Sequence, residues 1–490
     1  MISISEIIGF NFIVISPTVV LLLTALILLF FTITIPSSDV LKKLITFLGI
    51  LLTNFFIFLK FGLYLTDGVS SYFSEKILLD EFSLFGNVLI GLILLFTFNS
   101  FWKTSASLEG KTTEAIILIL MSASGFLLMI DSENFIMLFI GLEIGSISLY
   151  ALAGLNRGDK LSNEASLKYF LLGSLASCVL IYGVALLYVS LSISGVYETS
   201  IAINFIGPQN VPLTTLIGMI FIIVGLLFKV AAAPFQAWAP DVYQGSPTGF
   251  VGYMATTAKA ASFIVLARIS AISIRFILDK FELFFTIVVL LSALLGALFA
   301  TNQTDLKRLI AYSGVIQSGF ILSGMVSGVF GISASLFYLF SYIVQLLGIF
   351  SIFSIIKGQL TSTFGIDELS GLFLNNKFLT ICFSIFMFGL AGMPLTSGFV
   401  SKFILITNLW SYEQYLLVVV LMLSTVVGFY FYLRPIWIAS IEKNENPLSK
   451  IAISTSDKVS VGLLAVVTLL LGILPNALIN LTRWVVENYI

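Results

Sequence analysis

Four ionisable residues stand inside apolar runs long enough to cross a membrane: Glu143, Lys229, Lys259 and Lys402. Glu143 lies in FIMLFIGLEIGSISLYALAG, Lys229 in LLFKVAAAPFQAW and Lys402 in GLAGMPLTSGFVSK. Lys259 is flanked on both sides by apolar or small residues. A lysine at mid-membrane costs roughly 2.5–3.5 kcal/mol on insertion scales. Each charge taken alone has a structural reading, as a buried ion pair or as a lysine snorkelling from a span end. The four together point to proton transfer. Low dielectric weakens a lysine's hold on its proton, and a nearby carboxylate strengthens it. A lysine whose distance to an acid can change is therefore a proton site of switchable affinity. Glu143 is read as the one acid deep in a span, and so as the expected partner of one lysine.

Two proline breaks accompany these lysines. Pro234 follows Lys229 within AAAP, and Pro394 precedes Lys402. Proline removes a backbone donor and clashes with the preceding turn. Gly389, Gly392 and Gly398 loosen the second region further. Unwound backbone at membrane depth is tolerated only where protein buries it or water reaches it. A single break is an ordinary kink. Two breaks, each beside a buried lysine, indicate two related half-units around an ion path.

The elements that must hold these residues are membrane helices. The chain has 490 residues, 59% hydrophobic and 10% charged, too few charges for the surface of a soluble protein. Apolar runs of roughly 20 residues recur from end to end, and they are continuous rather than alternating, which excludes a β-barrel. The expected fold is an all-α polytopic membrane protein with about fourteen spans. Their cores are expected at 12–35, 44–64, 82–101, 115–130, 134–154, 168–194, 213–238, 249–270, 281–301, 309–329, 333–356, 378–408, 414–434 and 459–480. The start, MISISEIIGFN, lacks a basic segment and carries Glu6, so the first run reads as a span rather than a cleaved signal. Lysines and arginines concentrate in alternate loops, including Lys42, Lys43, Lys111, Lys307, Arg308, Lys377, Lys443, Lys450 and Lys458. Those loops are expected to face the cytoplasm. Lys60, Lys76, Arg268, Arg275, Lys280 and Arg483 are assigned to the outer side, with both termini.

Composition also excludes functions. A net charge of −1 gives no reason to expect nucleic acid as a partner. With no histidine, bis-histidine haem is impossible, and two cysteines cannot hold a four-cysteine iron–sulfur cluster. Cys178 and Cys382 are read as buried small hydrophobes.

The stretch FKVAAAPFQAWAPDVYQGSPTGFVGYMATTAKAASF (228–263) resembles the seventh and eighth helices of subunit N, or chain 2, of respiratory complex I, NADH:quinone oxidoreductase. PDVYQGSP (240–247) is its most specific piece. EASLKYFLLGS (164–174), DLKRLIAYSGVIQSGF (305–320), FGLAGMPLTSGFVSKF (388–403) and VVGFYFYLR (426–434) resemble the sixth, tenth, twelfth and thirteenth helices. The resemblance implies a proton-translocating, antiporter-like membrane subunit without a redox centre. It implies two inverted five-helix repeats with discontinuous helices seven and twelve. The division would be three helices over 1–112, repeats over 113–272 and 273–436, and a last helix over 437–490. Glu143 would be the fifth-helix acid, Lys229 its seventh-helix partner, Lys259 the central eighth-helix lysine and Lys402 the twelfth-helix lysine on the outward route. This chain would bind no cofactor or metal, with NADH, flavin, iron–sulfur clusters and quinone handled by other subunits. Its partners would be the other membrane subunits of the complex, including related antiporter-like ones, and the lipid bilayer.

Some positions depart from the family pattern. Gln236 stands where histidine is usual, Leu346 beside Gln345 replaces an asparagine, and Gly249 replaces a proline. Water, or Gln317 and Gln345, is expected to complete the polar path between charges. The competing reading is a subunit of a multisubunit cation/proton antiporter or of a membrane-bound hydrogenase. Sister complex I subunits compete less well: one has glutamate at the position of Lys402, and the sequence after the last apolar run leaves no room for the long lateral helix of the largest. The expected location is a bacterial plasma (inner) membrane, with the mitochondrial inner membrane as alternative.

Overall fold

The computed structural model of the chain describes residues 4–34, 39–107, 111–272, 274–357, 363–441 and 453–487. The first elements are α1 (Ile4–Thr34) and α2 (Asp39–Asp67), followed by an antiparallel hairpin of β1 (Ser70–Tyr72) and β2 (Ile77–Leu79). Then come α3 (Glu81–Ser107), α4 (Thr112–Asp131), α5 (Phe135–Ala153), α6 (Lys160–Leu191) and the short α7 (Val196–Ile206). The middle of the chain forms α8 (Leu213–Lys229), α9 (Trp238–Gly245), α10 (Thr248–Ile272), α11 (Ile274–Thr301), α12 (Leu306–Ser323) and α13 (Gly328–Lys357). The rest is α14 (Leu372–Asn375), α15 (Lys377–Ala391), α16 (Ser397–Ser411), α17 (Tyr415–Ile441), α18 (Thr455–Ile473) and α19 (Asn476–Glu487).

Among the described residues twelve helices are long and apolar enough to cross a membrane. The chain is a multi-pass, mostly helical membrane protein. Helix α10 sits at its centre, with every residue from Thr248 to Ala271 buried. Outer helices such as α2 leave Phe55, Phe58 and Leu65 exposed on their outward face, as a surface solvated by lipid requires.

The two proline regions are interrupted, as the sequence predicts. The expected span 213–238 stops at Lys229, and a break over residues 230–237 precedes α9. The expected span 378–408 divides into α15 and α16 across residues 392–396. Both breaks place a non-glycine residue in the left-handed region, Ala231 at φ 56° and Leu395 at φ 71°, where L side chains are uncommon. Tight backbone contacts hold the half-helices. A Cβ on Gly183 would lie 2.6 Å from the Gly218 carbonyl, so α6 and α8 touch main chain to main chain. A Cβ on Gly398 would lie 1.9 Å from the Gly389 carbonyl, which keeps α16 against α15.

One expected span is corrected. Residues 459–480 are not one helix: α18 ends at Ile473, Pro475 intervenes, and α19 begins at Asn476. Proline cannot supply the N–H that would continue α18. Helix α19 then buries Leu478, Thr482, Val485 and Val486 and leaves Arg483 exposed.

The ends of the bundle pair as alternating loops require. Bridges join Ile77 to Ser132 and Asn134 to Gly195 at one end, and Asp305 to Gly365 at the other. Three cations assigned to loops or span ends are instead buried. Lys60 pairs with Asp131 at 2.9 Å, and Arg268 pairs with Asp80 at 2.7 Å. Both cations belong to helix bodies, because α2 runs to Asp67 and α10 to Ile272. Lys307 lies within the first turn of α12 and donates to the Gln244 and Ser246 carbonyls at 3.1 and 2.9 Å. Cys382 is buried as expected, whereas Cys178 is exposed on the outer face of α6. Lys443 and Lys450, and the side chains of Glu6 and Arg275, lie outside the described residues.

Candidate proton-relay site

Lys229 is the last residue of α8, where the helix stops and its carbonyls lose their internal donors. Turn bonds from the Val230, Ala231 and Ala232 N–H groups satisfy part of them, and side chains add the rest. Trp238 Nε1 donates to the Phe228 carbonyl at 3.0 Å, and Ser318 Oγ donates to the Val230 carbonyl at 2.7 Å. The Ala233 N–H donates to Ser292 Oγ at 2.9 Å. The break thus persists at membrane depth because α11 and α12 supply its missing partners. Its lysine turns the other way, toward α5. Lys229 Nζ donates to Ser146 Oγ and Tyr150 Oη, both at 2.9 Å, and lies 5.4 Å from the Tyr150 ring centre.

Glu143 stands on the same helix, one turn before Ser146, and is half-buried. Its Oε1 accepts a short hydrogen bond from Ser177 Oγ on α6. The expected pairing of Glu143 with Lys229 is therefore not a direct contact. No ion pair joins them among the described residues. Serine and tyrosine hydroxyls occupy the lysine's donors, and a hydroxyl occupies the acid.

Lys259, at the centre of α10, is 2% exposed. Its Nζ donates to the Gly314 carbonyl at 3.3 Å and to Tyr342 Oη at 3.2 Å, with the Tyr342 ring centre at 5.3 Å. The Gly314 carbonyl lies 2.9 Å from the same Ser318 Oγ, so the single Ser318 O–H can turn from the Val230 carbonyl to it. Ser318 therefore links the first break to the oxygen that holds Lys259.

Lys402 folds back onto its own break. Its Nζ donates to the Leu390 and Ala391 carbonyls at 3.0 and 2.9 Å and lies 5.1 Å from the Phe320 ring centre. Gly392, at φ 87°, makes room for it, since a Cβ there would stand 2.9 Å from the lysine Cδ. Gln317 Nε2 donates to the same Leu390 carbonyl at 3.2 Å and to Tyr432 Oη at 2.8 Å, while Tyr338 Oη donates a short bond to Gln317 Oε1. Tyr338 lies one helical turn from Tyr342 on α13.

The three lysines share one chemistry. Each Nζ has two neutral oxygen acceptors and an aromatic ring, and none has a carboxylate within ion-pair distance among the described residues. An ammonium carries three N–H donors and a neutral amine two. Either form fills both acceptors, so the proton can leave without stranding a buried oxygen. The rings favour the charged form modestly. Such a site suits proton exchange better than permanent charge.

Residues 132–428 match the family model described as NADH:quinone oxidoreductase/Mrp antiporter, TM. The chain is 31% identical over 485 residues to NADH-quinone oxidoreductase subunit N of Trichlorobacter lovleyi, covering 97% of both chains. It belongs to this family. A chain of respiratory complex I from Thermus thermophilus superposes on the antiporter-like subunit described here with a TM-score of 0.81 and 27% identity, covering 95% of this chain and 98% of that one. A chain of the Mrp complex from Dietzia sp. superposes with a TM-score of 0.82 over 97% of both chains, at 19% identity, a likeness of fold alone.

Within this antiporter-like fold the four singled-out residues divide into two groups. Glu143 lies on α5, whose Ser146 and Tyr150 hold Lys229, while Lys259 and Lys402 each contact α12, at Gly314 and at Phe320. Gln317 shares the Leu390 carbonyl with Lys402 and bonds Tyr338 and Tyr432. Gln345 does not reach the lysines directly: its Nε2 donates to Ser341 and Ser397 Oγ at 3.2 and 3.1 Å. Gln236 leaves its buried Oε1 without a hydrogen-bond partner among the described residues, and Leu346 is fully buried. Ser146, Tyr150, Ser318, Tyr338, Tyr342 and Tyr432 were not singled out by sequence. Their only signal is a hydroxyl among apolar residues, which membrane helices carry at small cost.

Proposed function

We propose that this chain is the proton-translocating, antiporter-like membrane subunit of an NADH:quinone oxidoreductase, coupling NADH-to-quinone electron transfer to proton pumping. The observation that carries the reading is the set of three buried lysines with neutral acceptors, two of them at helix breaks. Glu143, Lys229, Lys259 and Lys402 are the proposed relay. A change of field at one end, from quinone chemistry in another subunit, alters proton affinity at Lys229 through Glu143. The shift passes to Lys259 by way of Ser318 and Gly314, and to Lys402 by way of Tyr342, Tyr338 and Gln317. The units 113–272 and 273–436 would act as the two repeats, each with one break, after a three-helix unit over 1–112 and before a last helix over 437–490.

The catalytic redox steps are assigned to other subunits, where NADH, flavin, iron–sulfur clusters and quinone bind. This chain's part is the translocase. Its partners are the remaining membrane subunits, and its location a bacterial plasma membrane with both termini outward. Tags on both termini that resist external protease in intact cells would overturn that orientation.

The deciding experiment replaces Lys259 with Met in the assembled complex. Proton uptake coupled to NADH–quinone turnover should fall at least about tenfold, while NADH oxidation by an artificial acceptor continues. Full pumping with full assembly would sink the relay. The shared fold of the Mrp chain keeps cation/proton antiport as the second reading. Sodium/proton exchange in vesicles without NADH would favour it.

A further inference from the structure

At the end of the bundle where the hairpin lies, a cavity of about 300 Å³ is lined by Ser70, Glu75, Glu133, Tyr197 and Glu198, among others. Glu133 lies between α4 and α5 and is 5% exposed. Its Oε1 accepts the Tyr197 N–H at 2.9 Å, which fixes the carboxyl plane. Its Oε2 is buried and has no hydrogen-bond partner among the described residues. Glu198, exposed at the mouth, accepts the Gly195 N–H through Oε2 at 3.2 Å. Both carboxylates converge on one point: a Cβ on Gly195 would stand 3.0 Å from Glu133 Oε1 and 3.0 Å from Glu198 Oε2.

Two carboxylates this close, one of them buried, are not both ionised without cost. The surrounding charges do not remove that cost. From α10, Arg268 faces the site, but its guanidinium is engaged by Asp80 and by the Ile130 and Ser132 carbonyls. Asp80 and Glu198 add negative charge, and burial acts most strongly of all. On the hairpin, Glu75 lines the mouth, and Lys76 meets Glu133 through its backbone carbonyl while its side chain is exposed. Asp131, next along, is held by Lys60. Burial, opposed by the Tyr197 N–H and Arg268 and assisted by Asp80 and Glu198, raises Glu133 to about 7.

We propose that Glu133 and Glu198 form a proton-binding carboxyl pair on the face that the cation distribution places outward. The proton sits on Glu133 Oε2 and points into the cavity, while Oε1 keeps its bond from Tyr197. The ligand is a proton rather than a metal ion: among the described residues no three Asp, Glu, His or Cys side chains gather as a metal cage. The pair is separate from the lysine line and stands whether or not those lysines relay protons. It gives this face a group that exchanges a proton with the aqueous phase near neutral pH.

Carbodiimides add to protonated carboxyls, so labelling reads the proton directly. The assembled complex in native membranes is treated with dicyclohexylcarbodiimide across a pH series, and the adduct on Glu133 is quantified by peptide mass spectrometry. Its yield should fall about tenfold between about pH 6 and about pH 8. Glu198→Gln removes a neighbouring negative charge and should move the fall to lower pH. A yield independent of pH, or no adduct at the acid end, overturns the proton site. An unmoved midpoint in Glu198→Gln overturns the pair. A midpoint that follows sodium concentration when choline is the replacement cation also overturns it, in favour of a metal-cation site. The wild-type series alone decides the first point should the variant fail to assemble.

Discussion

Gln317 and Lys402 donate to the same oxygen, the Leu390 carbonyl, at 3.2 and 3.0 Å. That carbonyl is free for both because α15 ends at Ala391 and offers it no helical N–H. The helix break therefore does two jobs: it holds the lysine, and it gives the glutamine a point of contact with it. Gln317→Leu would leave the Tyr338 and Tyr432 hydroxyls short of a partner, at about 1–3 kcal/mol for each stranded group. The expected result is an assembled complex whose coupled proton pumping falls about tenfold, equivalent to about 1.4 kcal/mol on the barrier. Unchanged pumping, measured by acidification in reconstituted vesicles, would remove Gln317 from the path.

Lys229 offers a sharper comparison. Its acceptors are two hydroxyls, which serve a charged or a neutral amine equally well. An arginine keeps its proton at any working pH. Lys229→Arg should therefore lose pumping as fully as Lys229→Met, by about tenfold or more. If Arg pumps normally, Lys229 is a fixed charge and not a proton site. Glu143→Gln keeps an acceptor for Ser177 and should assemble normally, with reduced pumping because only the acid's charge is lost.

The charges at mid-span were legible because each interrupts an otherwise apolar run and carries a large insertion cost. Lys229, Lys259 and Lys402 needed no packing information to be singled out. Lys60 and Arg268 did. They stand near run ends, where hydropathy cannot tell a loop from the last turns of a helix. Their partners Asp131 and Asp80 come from other helices, and only the bundle brings them together. The same limit hid Ser318 and Tyr338, whose hydroxyls barely disturb an apolar pattern. It also hid Ser146, Tyr150 and Ser177, the hydroxyls that hold Lys229 and Glu143, because charge complementarity says nothing about them. Pro475 was passed over, because the apolar residues before and after it read as one span.

The Lys60–Asp131 pair is fully buried, with Asn87 Nδ2 also donating to Asp131 at 2.9 Å. Removing one partner of such a pair costs about 3–5 kcal/mol, whereas apolar replacement of both is often neutral. Lys60→Met should lower the yield and thermal stability of the assembled complex. Lys60→Met combined with Asp131→Leu should recover most of that loss and pump normally. A double variant that assembles fully and does not pump would place this pair in the proton path instead of in the scaffold.

On the opposite end, Asp241, in the first turn of α9, ties the PDVYQGSP segment to α6 and α12. It accepts from Lys168 and from Arg308, each at 2.6 Å, and Arg308 also donates to Gln244 Oε1 at 3.1 Å. Burial opposes ionisation, but the hydrogen bonds and charges of Lys168 and Arg308 outweigh it and hold Asp241 below its ordinary 3.8. A depressed carboxyl contributes its stabilisation in full above the unfolded value and loses it as pH falls through the folded one. The clamp is therefore complete at neutral pH and opens only below about pH 4. Its side chains are 26–39% exposed, so each bridge is worth only about 0.2–1 kcal/mol. Asp241→Asn removes both bridges and should then raise amide hydrogen exchange over 239–247 by about thirtyfold or less, with no change across the neutral range. Lys307, buried beneath and bonded to Gln244 and Ser246, keeps the segment seated. If Asp241→Asn unfolds the segment outright, the exposed clamp and not Lys307 is what positions the first break.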